Sequence, residues 1–284
     1  MGVLFIDADG REYGTEDLYS ALKAVGADDC NVLFIHSDIV MGKIPTGIKR
    51  GELLSEICGV LDSLSIKHLI VPTFTYSFCN SEDYNVQTSR TSMGVLNEFI
   101  RKKPGRYRTL DPLLSLSVPM DLKESFSNIG EHSLGENSGL DILHKTGNVR
   151  FLFLGARMGY CFTYLHYIEK MLDVPYRFDM PFSGKITDEN GKEFEKTQYI
   201  HTACYGVKPA DFYYFEDELE DKGFLKKVRF ADSQISCISE KDAYREIVSK
   251  IKGNINYFLE KPFTAADLVH KYAKGLDGSR ITHC

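Results

Sequence analysis

The chain lacks the features that mark membrane, secreted and nucleic-acid-binding proteins. No apolar run in its 284 residues approaches the roughly 20 residues that span a bilayer. The seven cysteines form no C-x-x-C pair, and their odd number and wide spacing favour reduced thiols. Acidic residues appear too early for a signal peptide, so we expect a cytoplasmic protein. Since 40 acidic residues face 34 basic ones, a net charge of −6, nucleic-acid binding has no general support.

Familiar ligand motifs are missing as well. Neither G-x-G-x-x-G nor G-x-x-x-x-G-K-[ST] occurs, so the usual dinucleotide and P-loop phosphate sites are not indicated. There is no H-E-x-x-H motif, and the cysteines do not lie at zinc spacing. We therefore expect no metal.

Strand-like and helix-like patterns alternate through the first two thirds of the chain, which predicts an α/β fold. Apolar runs predict strands over 32–35, 69–71, 115–120 and 150–154. Helical spacing and capping residues predict helices from Thr15 to near Gly26, over 51–64, from a cap at Thr91 to 103, over 138–143 and over 163–172. We expect a mixed central sheet with helices on both faces.

The pattern changes after Pro175. Residues 176–186 and 193–205 flank Asn190-Gly191, a signal for a two-residue hairpin turn, so we expect an antiparallel ribbon inserted over about 176–206. A helix over 211–222, a strand over 228–238 and a helix capped by Ser239 follow. No linker separates two cores, so residues 1–284 are predicted to form one domain with a flexible tail over about 275–284.

The sharpest chemical signal is Thr163-x-x-His166-x-x-Glu169, just past the carboxyl end of a predicted strand, where open α/β sheets bind ligands. Residues three apart share a helix face, so Glu169 can hold one imidazole nitrogen while the other takes a proton. The alternative is an ordinary ion pair on a helix surface. A nucleophilic Cys161 beside His166 is a further, poorer alternative.

Two loops that follow strands offer hydroxyls and backbone N–H groups, one after His36-Ser37 and one after Pro72. The positive end of the next helix, with Lys49 and Arg50, suits a phosphate, although ordinary turn chemistry is the favoured interpretation of these loops when they are taken alone. The basic segment 106–108 is either a solvated loop or a phosphate clamp. The acidic run 216–221 is either a solvated helix face or a wall that attracts a cationic substrate.

Taken in order, these segments resemble the aminoglycoside 3-N-acetyltransferase family. The resemblance spans residues from about 32 to 178, and six blocks carry it: Phe34-Ile35-His36-Ser37, Val71-Pro72-Thr73-Phe74-Thr75, Gly94-x-Leu96-x-Glu98-Phe99-x-Arg101, Arg108-Thr109-x-Asp111-Pro112-x-x-Ser115, Leu152-x-Leu154-Gly155 and Thr163-x-x-His166-x-x-Glu169.

The resemblance implies direct transfer of an acyl group from acetyl-CoA or another acyl-CoA to a sugar amine, and a possible homodimer. It assigns His166 as general base, Glu169 as its orienting partner and Thr163 as a neighbour in the site. Its matching blocks place the coenzyme near His36, Ser37, Thr73, Phe74, Thr75 and Ser115, and the acceptor side near Glu98, Asp111 and Tyr76. Oxyanion donors are hypothesised around Thr73 to Thr75.

Two departures from the family pattern bear on the acceptor. Asp111 stands where the family's R-S-x-H-P-x-x-S block has histidine, and Asp38 and Ile39 follow Ser37 in place of small residues. These departures favour a nucleotide-linked amino sugar of surface-polysaccharide biosynthesis. An aminoglycoside acceptor, a non-catalytic CoA-binding protein and a hydrolase with a cysteine or serine nucleophile are the alternatives.

Overall fold

The computed structural model describes residues 2–272, 274–275 and 279–282. Its strands, in chain order, are β1 (Val3–Ile6), β2 (Glu12–Gly14), β3 (Val32–Ser37), β4 (His68–Pro72), β5 (Tyr84–Asn85), β6 (Arg106–Arg108), β7 (Leu116–Pro119), β8 (Val149–Leu154), β9 (Arg177–Thr187), β10 (Glu193–Ala203), β11 (Lys226–Phe230) and β12 (Ser233–Ser239). Its helices are α1 (Thr15–Ala24), α2 (Arg50–Asp62), α3 (Val95–Arg101), α4 (Lys123–Phe126), α5 (Gly139–Thr146), α6 (Met158–Cys161), α7 (Tyr164–Met171), α8 (Tyr213–Asp221) and α9 (Glu240–Gly253).

The central sheet has the order β11-β12-β8-β3-β4-β7-β6. β3 pairs in parallel with both β4 and β8, whereas β7 joins β4, and β12 joins β8, in antiparallel orientation. Helix α2 connects the parallel strands β3 and β4, whereas short turns connect the antiparallel pairs β6–β7 and β11–β12 at the two flanks. The predicted mixed α/β fold is confirmed.

Alternate residues of the central strands face two separate apolar cores. Leu33 and Ile35 of β3 pack with α1, α2 and α3, while Val32 and Phe34 pack with α5, α7 and α9. This period of two is that of a strand buried on both faces, and it places helices on each side of the sheet. The carboxyl ends of β3, β4 and β8 are thereby held at one edge.

The inserted ribbon is a long antiparallel hairpin of β9 and β10, in register from Arg177 opposite Ala203 to Thr187 opposite Glu193. β5 extends it by a short parallel pairing with β9. The loop at its tip contains Glu189, Asn190 and Gly191, because the N–H of Asp188 donates to the carbonyl of Lys192 and the N–H of Gly191 to the carbonyl of Asp188. The hairpin prediction holds, but its loop has three residues, with Gly191 at φ +78°.

Three local predictions were wrong. The strand predicted over 228–238 is a hairpin of β11 and β12 that turns at Ala231, whose φ is +50°. Thr91 does not cap α3, because its hydroxyl donates to the carbonyl of Phe74 and Gly94 precedes the helix. The basic segment 106–108 is strand β6. The hairpin of β1 and β2 was not predicted at all.

Part of the predicted flexible tail is described, and it contacts the domain. Ile281 is buried and exchanges two hydrogen bonds with the side chain of Asn80, of 2.7 and 2.9 Å, while Arg280 pairs with Glu82. Residues 276–278 and 283–284 of that prediction lie outside the described residues. Within the described segments, no helix combines the length and apolarity that crossing a membrane requires.

Candidate active site

A cavity of about 590 Å³ opens where β3, β4 and β8 end. Its size is that of a typical ligand pocket, and it lies where open α/β sheets bind their ligands. Residues of the loops that follow these strands and of α3, α6 and α8 line it, among them His36, Ser37, Arg50, Asn97, Gly155, Arg157 and Cys161. The structure therefore brings two predicted coenzyme residues, His36 and Ser37, and the predicted phosphate partner Arg50 to one space.

Gly155, at the end of β8, allows the backbone at Asp38 to approach it closely in the cavity wall. Its φ is +71°, and a Cβ atom at this position would lie 1.9 Å from the carbonyl oxygen of Asp38. The N–H of Asp38 donates to the carbonyl of Leu154 over 2.9 Å, which fixes this close approach. Only glycine fits here.

His36 and Ser37 are held differently in this wall. The hydroxyl of Ser37 donates to the side-chain oxygen of Asn97 over 2.9 Å, and the amide of Asn97 donates to the carbonyl of Pro72 over 3.0 Å. The His36 ring stacks on Phe153, and burial lowers its pKa to about 3, so the imidazole is neutral. Its buried Nε2 has no partner among the described residues, which leaves a hydrogen-bonding group for a ligand.

Helix α7 carries the second part of the site. Leu165 and Ile168 anchor it in the core, and the polar positions His166 and Glu169 lie three residues apart. Nδ1 of His166 is 2.7 Å from Oε2 of Glu169, as the spacing predicts.

Glu169 is a buried, ionised carboxylate. Burial by itself would raise the pKa of Glu169, but Arg177, His166 and Tyr176 outweigh it and hold that pKa at about 2. Nε of Arg177 is 2.7 Å from Oε2 of Glu169, and the Tyr176 hydroxyl donates to Oε1 over 2.9 Å. Both partners come from the start of the ribbon, so the ribbon completes the environment of α7.

His166 is a neutral imidazole with one nitrogen engaged. Burial, and then the charge of Arg177, lower its pKa to about 4 against the opposing pull of Glu169. Among the described residues its Nε2 has no hydrogen-bond partner, and 18% of the side chain is exposed. The hydroxyl of Thr163, one turn earlier, makes no hydrogen bond in the same described set. Two open polar groups thus follow one another along α7.

The base and the cavity are adjacent along the chain, although His166 is not among the residues that line the cavity. Cys161 lines it, and the next residue, Phe162, packs edge-on against His36 with ring centroids 6.0 Å apart. Thr163 then begins the turn that presents His166. The aromatic contact links the two parts of the site.

Three predicted coenzyme residues point into the fold. Thr73 and Ser115 are fully buried, and both hydroxyls share hydrogen bonds with the guanidinium of Arg108. The hydroxyl of Thr75 donates to the carbonyl of Pro112 over 2.8 Å. In this arrangement these side chains hold the loop after β4, and their contact with a coenzyme stays a prediction.

The hypothesis of oxyanion donors at Thr73 to Thr75 meets a geometric obstacle. The N–H groups of Thr73 and Thr75 donate to the carbonyls of Ser115 and Leu113, over 2.8 and 3.2 Å. Their hydroxyls donate to the carbonyls of Ser115 and Pro112. These four donors are therefore engaged within the fold, and their role as oxyanion donors stays a prediction.

The remaining predicted residues support the loops. Phe74 is buried and packs on Tyr76, which is also buried and has φ +52°, a conformation that is costly for a non-glycine residue. Asp111 is buried, and its Oδ1 accepts from the N–H groups of Leu113 and Leu114 and the hydroxyl of Ser133. None of the three lines the cavity at the sheet edge.

Glu98, the other predicted acceptor-side residue, likewise lies away from the cavity lining. Burial would raise the pKa of Glu98, but hydrogen bonds from Arg101, Lys102 and the N–H of Thr91 hold it at about 2. Glu98 therefore ties α3 to the segment before it, as a support.

The alternative sites predicted from sequence, namely the cysteine nucleophile, the basic segment and the acidic run, have structural roles instead. Burial raises the pKa of Cys161 to about 12, which makes it a poor nucleophile. Arg106 donates to the carbonyls of Leu69 and Ser117, so β6 is no phosphate clamp. Glu216 is buried and accepts from the N–H of Gly159. The acidic run is therefore neither a fully solvated face nor an open acidic wall. In the described segments, no group of three or more histidine, cysteine, aspartate or glutamate side chains is arranged to hold a metal.

Comparison with known proteins decides the family. The family model described as aminoglycoside 3-N-acetyltransferase matches residues 59–252. The chain belongs to the aminoglycoside 3-N-acetyltransferase family. It is thus an acetyltransferase of a CoA-dependent family, and the predicted co-substrate is the family's own. A search of the curated proteins gave no match.

Solved structures of this family share the fold. A mutant of aminoglycoside acetyltransferase AAC(3)-IVa in complex with gentamicin aligns with TM-score 0.70 and 18% identity, covering 89% of this chain and 93% of that one. AAC-IIIb, a binary complex with CoASH, aligns with TM-score 0.66 and 18% identity over 89% and 99%. The YokD protein from Bacillus subtilis aligns with TM-score 0.68 and 18% identity, covering 86% of this chain and 94% of that one.

Sequence reasoning missed Arg177. Nothing in its immediate sequence marks it, because it is eight residues beyond Glu169 and begins a strand. The available signal was its place near the end of the resembling segment, at the point where the chain turns into the ribbon.

Proposed function

We propose that this member of the family transfers an acetyl group from acetyl-CoA to an amine of an aminoglycoside, directly and with His166 as general base. The observation that carries the proposal is the pair on α7. There a neutral imidazole is held at Nδ1 by an ionised carboxylate, and its Nε2 has no hydrogen-bond partner among the described residues.

The residues of the cavity suit a coenzyme. Arg50, at the start of α2, supplies positive charge for phosphates, and it has no ion-pair partner in the described residues. Arg157 also lines the cavity, but it is paired with the buried carboxylate of Glu216. The unpartnered Nε2 of His36 suits an amide or carbonyl of the ligand. Acetyl-CoA supplies an activated carbonyl carbon and a good leaving group.

The chain's own residues move one proton. The neutral form of the amine attacks, and Nε2 of His166 accepts one proton from its nitrogen as that nitrogen bonds to the acetyl carbon. Nδ1–H donates to Glu169 throughout, which stabilises the imidazolium. When the carbon–sulfur bond breaks, the electron pair leaves on sulfur, and His166 returns the proton to it. Proximity of amine and thioester supplies much of the remaining acceleration.

Two observations support an aminoglycoside as acceptor. The family model carries that name, and a neighbour of the same fold was solved with gentamicin. The net charge of −6 also suits a polycation. The nucleotide-linked amino sugar favoured from sequence has no support in the comparisons, and Asp111, on which it partly rested, is a buried loop support.

A thiol-release assay tests the proposal. Acetyl-CoA is incubated with gentamicin, with other aminoglycosides and with nucleotide-linked amino sugars, and the release of CoA thiol is followed for each. We expect saturable release with an aminoglycoside, and release about 10²–10⁴-fold slower with His166→Ala. Thermal stabilisation by acetyl-CoA without thiol release for any amine would overturn the proposal and favour a non-catalytic binding protein.

A further inference from the structure

The guanidinium of Arg177 touches both members of the pair on α7. Besides its 2.7 Å approach to Glu169, its Nη2 lies 2.8 Å from Nδ1 of His166, the same atom that contacts Glu169. Nη1 donates to the carbonyl of His201 over 3.1 Å, which anchors the group to β10. Only 2% of the Arg177 side chain is exposed.

These contacts cannot all be favourable at once. Nδ1 of a neutral histidine either carries a proton or accepts one. If Nδ1 is protonated, it donates to Glu169, leaves Nε2 bare and faces an Arg177 N–H without a bond. If Nδ1 is bare, it accepts from Arg177, and Nε2 carries the proton. Only the first arrangement can act as a base.

We propose that Arg177 is a positioning residue that controls where the His166 proton lies and keeps this base unprotonated in mildly acidic solution. The proposal rests on the proposed function, since it deepens the role of His166. The guanidinium opposes a cationic imidazole, so the proton taken from the amine is passed on to sulfur rather than retained. Glu169 offsets that opposition and makes the transient imidazolium accessible.

The other charged groups near His166 are few. Glu169 faces it from α7, Arg177 from β9 and, more distantly, Lys274 from the C-terminal segment. Asp179 of β9 pairs both with His201 of β10 and with Lys170 of α7. Tyr176 contacts Glu169 but is neutral. Arg177 is the cation that meets Nδ1 within hydrogen-bond distance among the described residues.

The test compares R177Q and R177K with R106Q. Arg106 is the control, because it is partly buried and also donates to backbone carbonyls, but in β6. Histidine-selective ¹⁵N NMR of the full-length protein gives the His166 pKa and tautomer without any acceptor. In R177Q we expect the pKa to rise by about one unit or more, with a smaller rise in R177K and none in R106Q.

The same variants are then assayed for kcat/KM against pH with one acceptor, so that the ionisation of the acceptor cancels. The wild-type pKa of His166 is about 4, so a rise of one unit in R177Q should lower the ratio to wild type about twofold further at pH 5 than at pH 8. The difference should approach tenfold only below pH 4, where the base is protonated in both proteins. A purely structural role would lower kcat/KM equally at all pH values.

An unchanged His166 titration in folded R177Q overturns the inference. If R177Q does not fold, a wild-type tautomer and pKa in R177K overturn it, because lysine cannot reproduce the fork. A shifted titration with no acetyl transfer to any amine refutes the proposed function alone.

Discussion

Two histidines at the ends of the site are kept neutral by different means. At the end of β3, burial alone lowers the pKa of His36 to about 3, and Nε2 has no partner among the described residues. On α7, burial and Arg177 lower the pKa of His166 to about 4 while Glu169 acts in the opposite direction. A histidine without a counter-charge can only hydrogen-bond a ligand, whereas one beside a carboxylate can take a proton and return it.

The largest effect is expected from His166→Ala. Removing the base should lower kcat by about 10²–10⁴-fold, the usual contribution of a positioned general base. Coenzyme affinity should remain close to wild type, since His166 does not line the cavity. Thiol release and calorimetric titration with CoA measure the two quantities, and retained turnover would remove His166 from this role.

Glu169→Gln should lower the stability of the folded protein. The neutral amide cannot compensate the positive charge of Arg177, whose side chain is only 2% exposed. An unpaired charge therefore remains in the core. We expect the free energy of unfolding to fall by about 3–5 kcal/mol in urea denaturation. Glu82→Gln serves as control, because it breaks the exposed pair with Arg280 and should cost about 1 kcal/mol or less. Equal losses in the two variants would contradict this account.

His36→Phe should show the opposite profile to His166→Ala. Phenylalanine keeps the stack on Phe153 but loses Nε2. We expect the Kd for CoA to rise about threefold to tenfold, the effect of one neutral hydrogen bond, with kcat within about twofold of wild type. A large fall in kcat without a change in Kd would assign His36 to the chemistry.

The last prediction concerns stability in acid. In the unfolded chain His36 binds a proton near pH 6.5, but in the folded protein only near pH 3, so between these values the unfolded state holds more protons and stability rises with pH. His36→Phe should reduce the slope of unfolding free energy between pH 6 and 4 by about 1.4 kcal/mol per pH unit. His166 acts with the same sign from pH 6.5 to 4 and remains in the variant. Urea denaturation at several pH values in this range measures the slope, and a slope in His36→Phe equal to that of wild type would contradict the prediction.

Local patterns predicted the parts of the fold that depend on local sequence. The apolar run from Val32 to Ile35 gave β3, and the spacing of His166 and Glu169 gave their contact. The hairpin of β9 and β10 was predicted from Asn190-Gly191, with a loop one residue too short. In each case neighbours within four residues determine the geometry.

Contacts between distant segments were beyond reach of such patterns. Thr73 and Ser115 carry hydroxyls suited to a ligand, and only the fold shows that Arg108 occupies them. Arg177 sits at a strand start, and its contact with His166 depends on how the ribbon leaves α7. The turn at Ala231 contains no glycine or proline, the residues from which a turn is usually predicted.

The origin of Arg177 in the ribbon has an evolutionary consequence. A hairpin exchanged between two relatives, even with the helix and sheet left intact, would bring its own first residue against the imidazole. The pH dependence of the hybrid's activity would therefore follow that of the relative that supplied the hairpin. Insertions of this kind can retune an enzyme without altering any residue that meets its substrate.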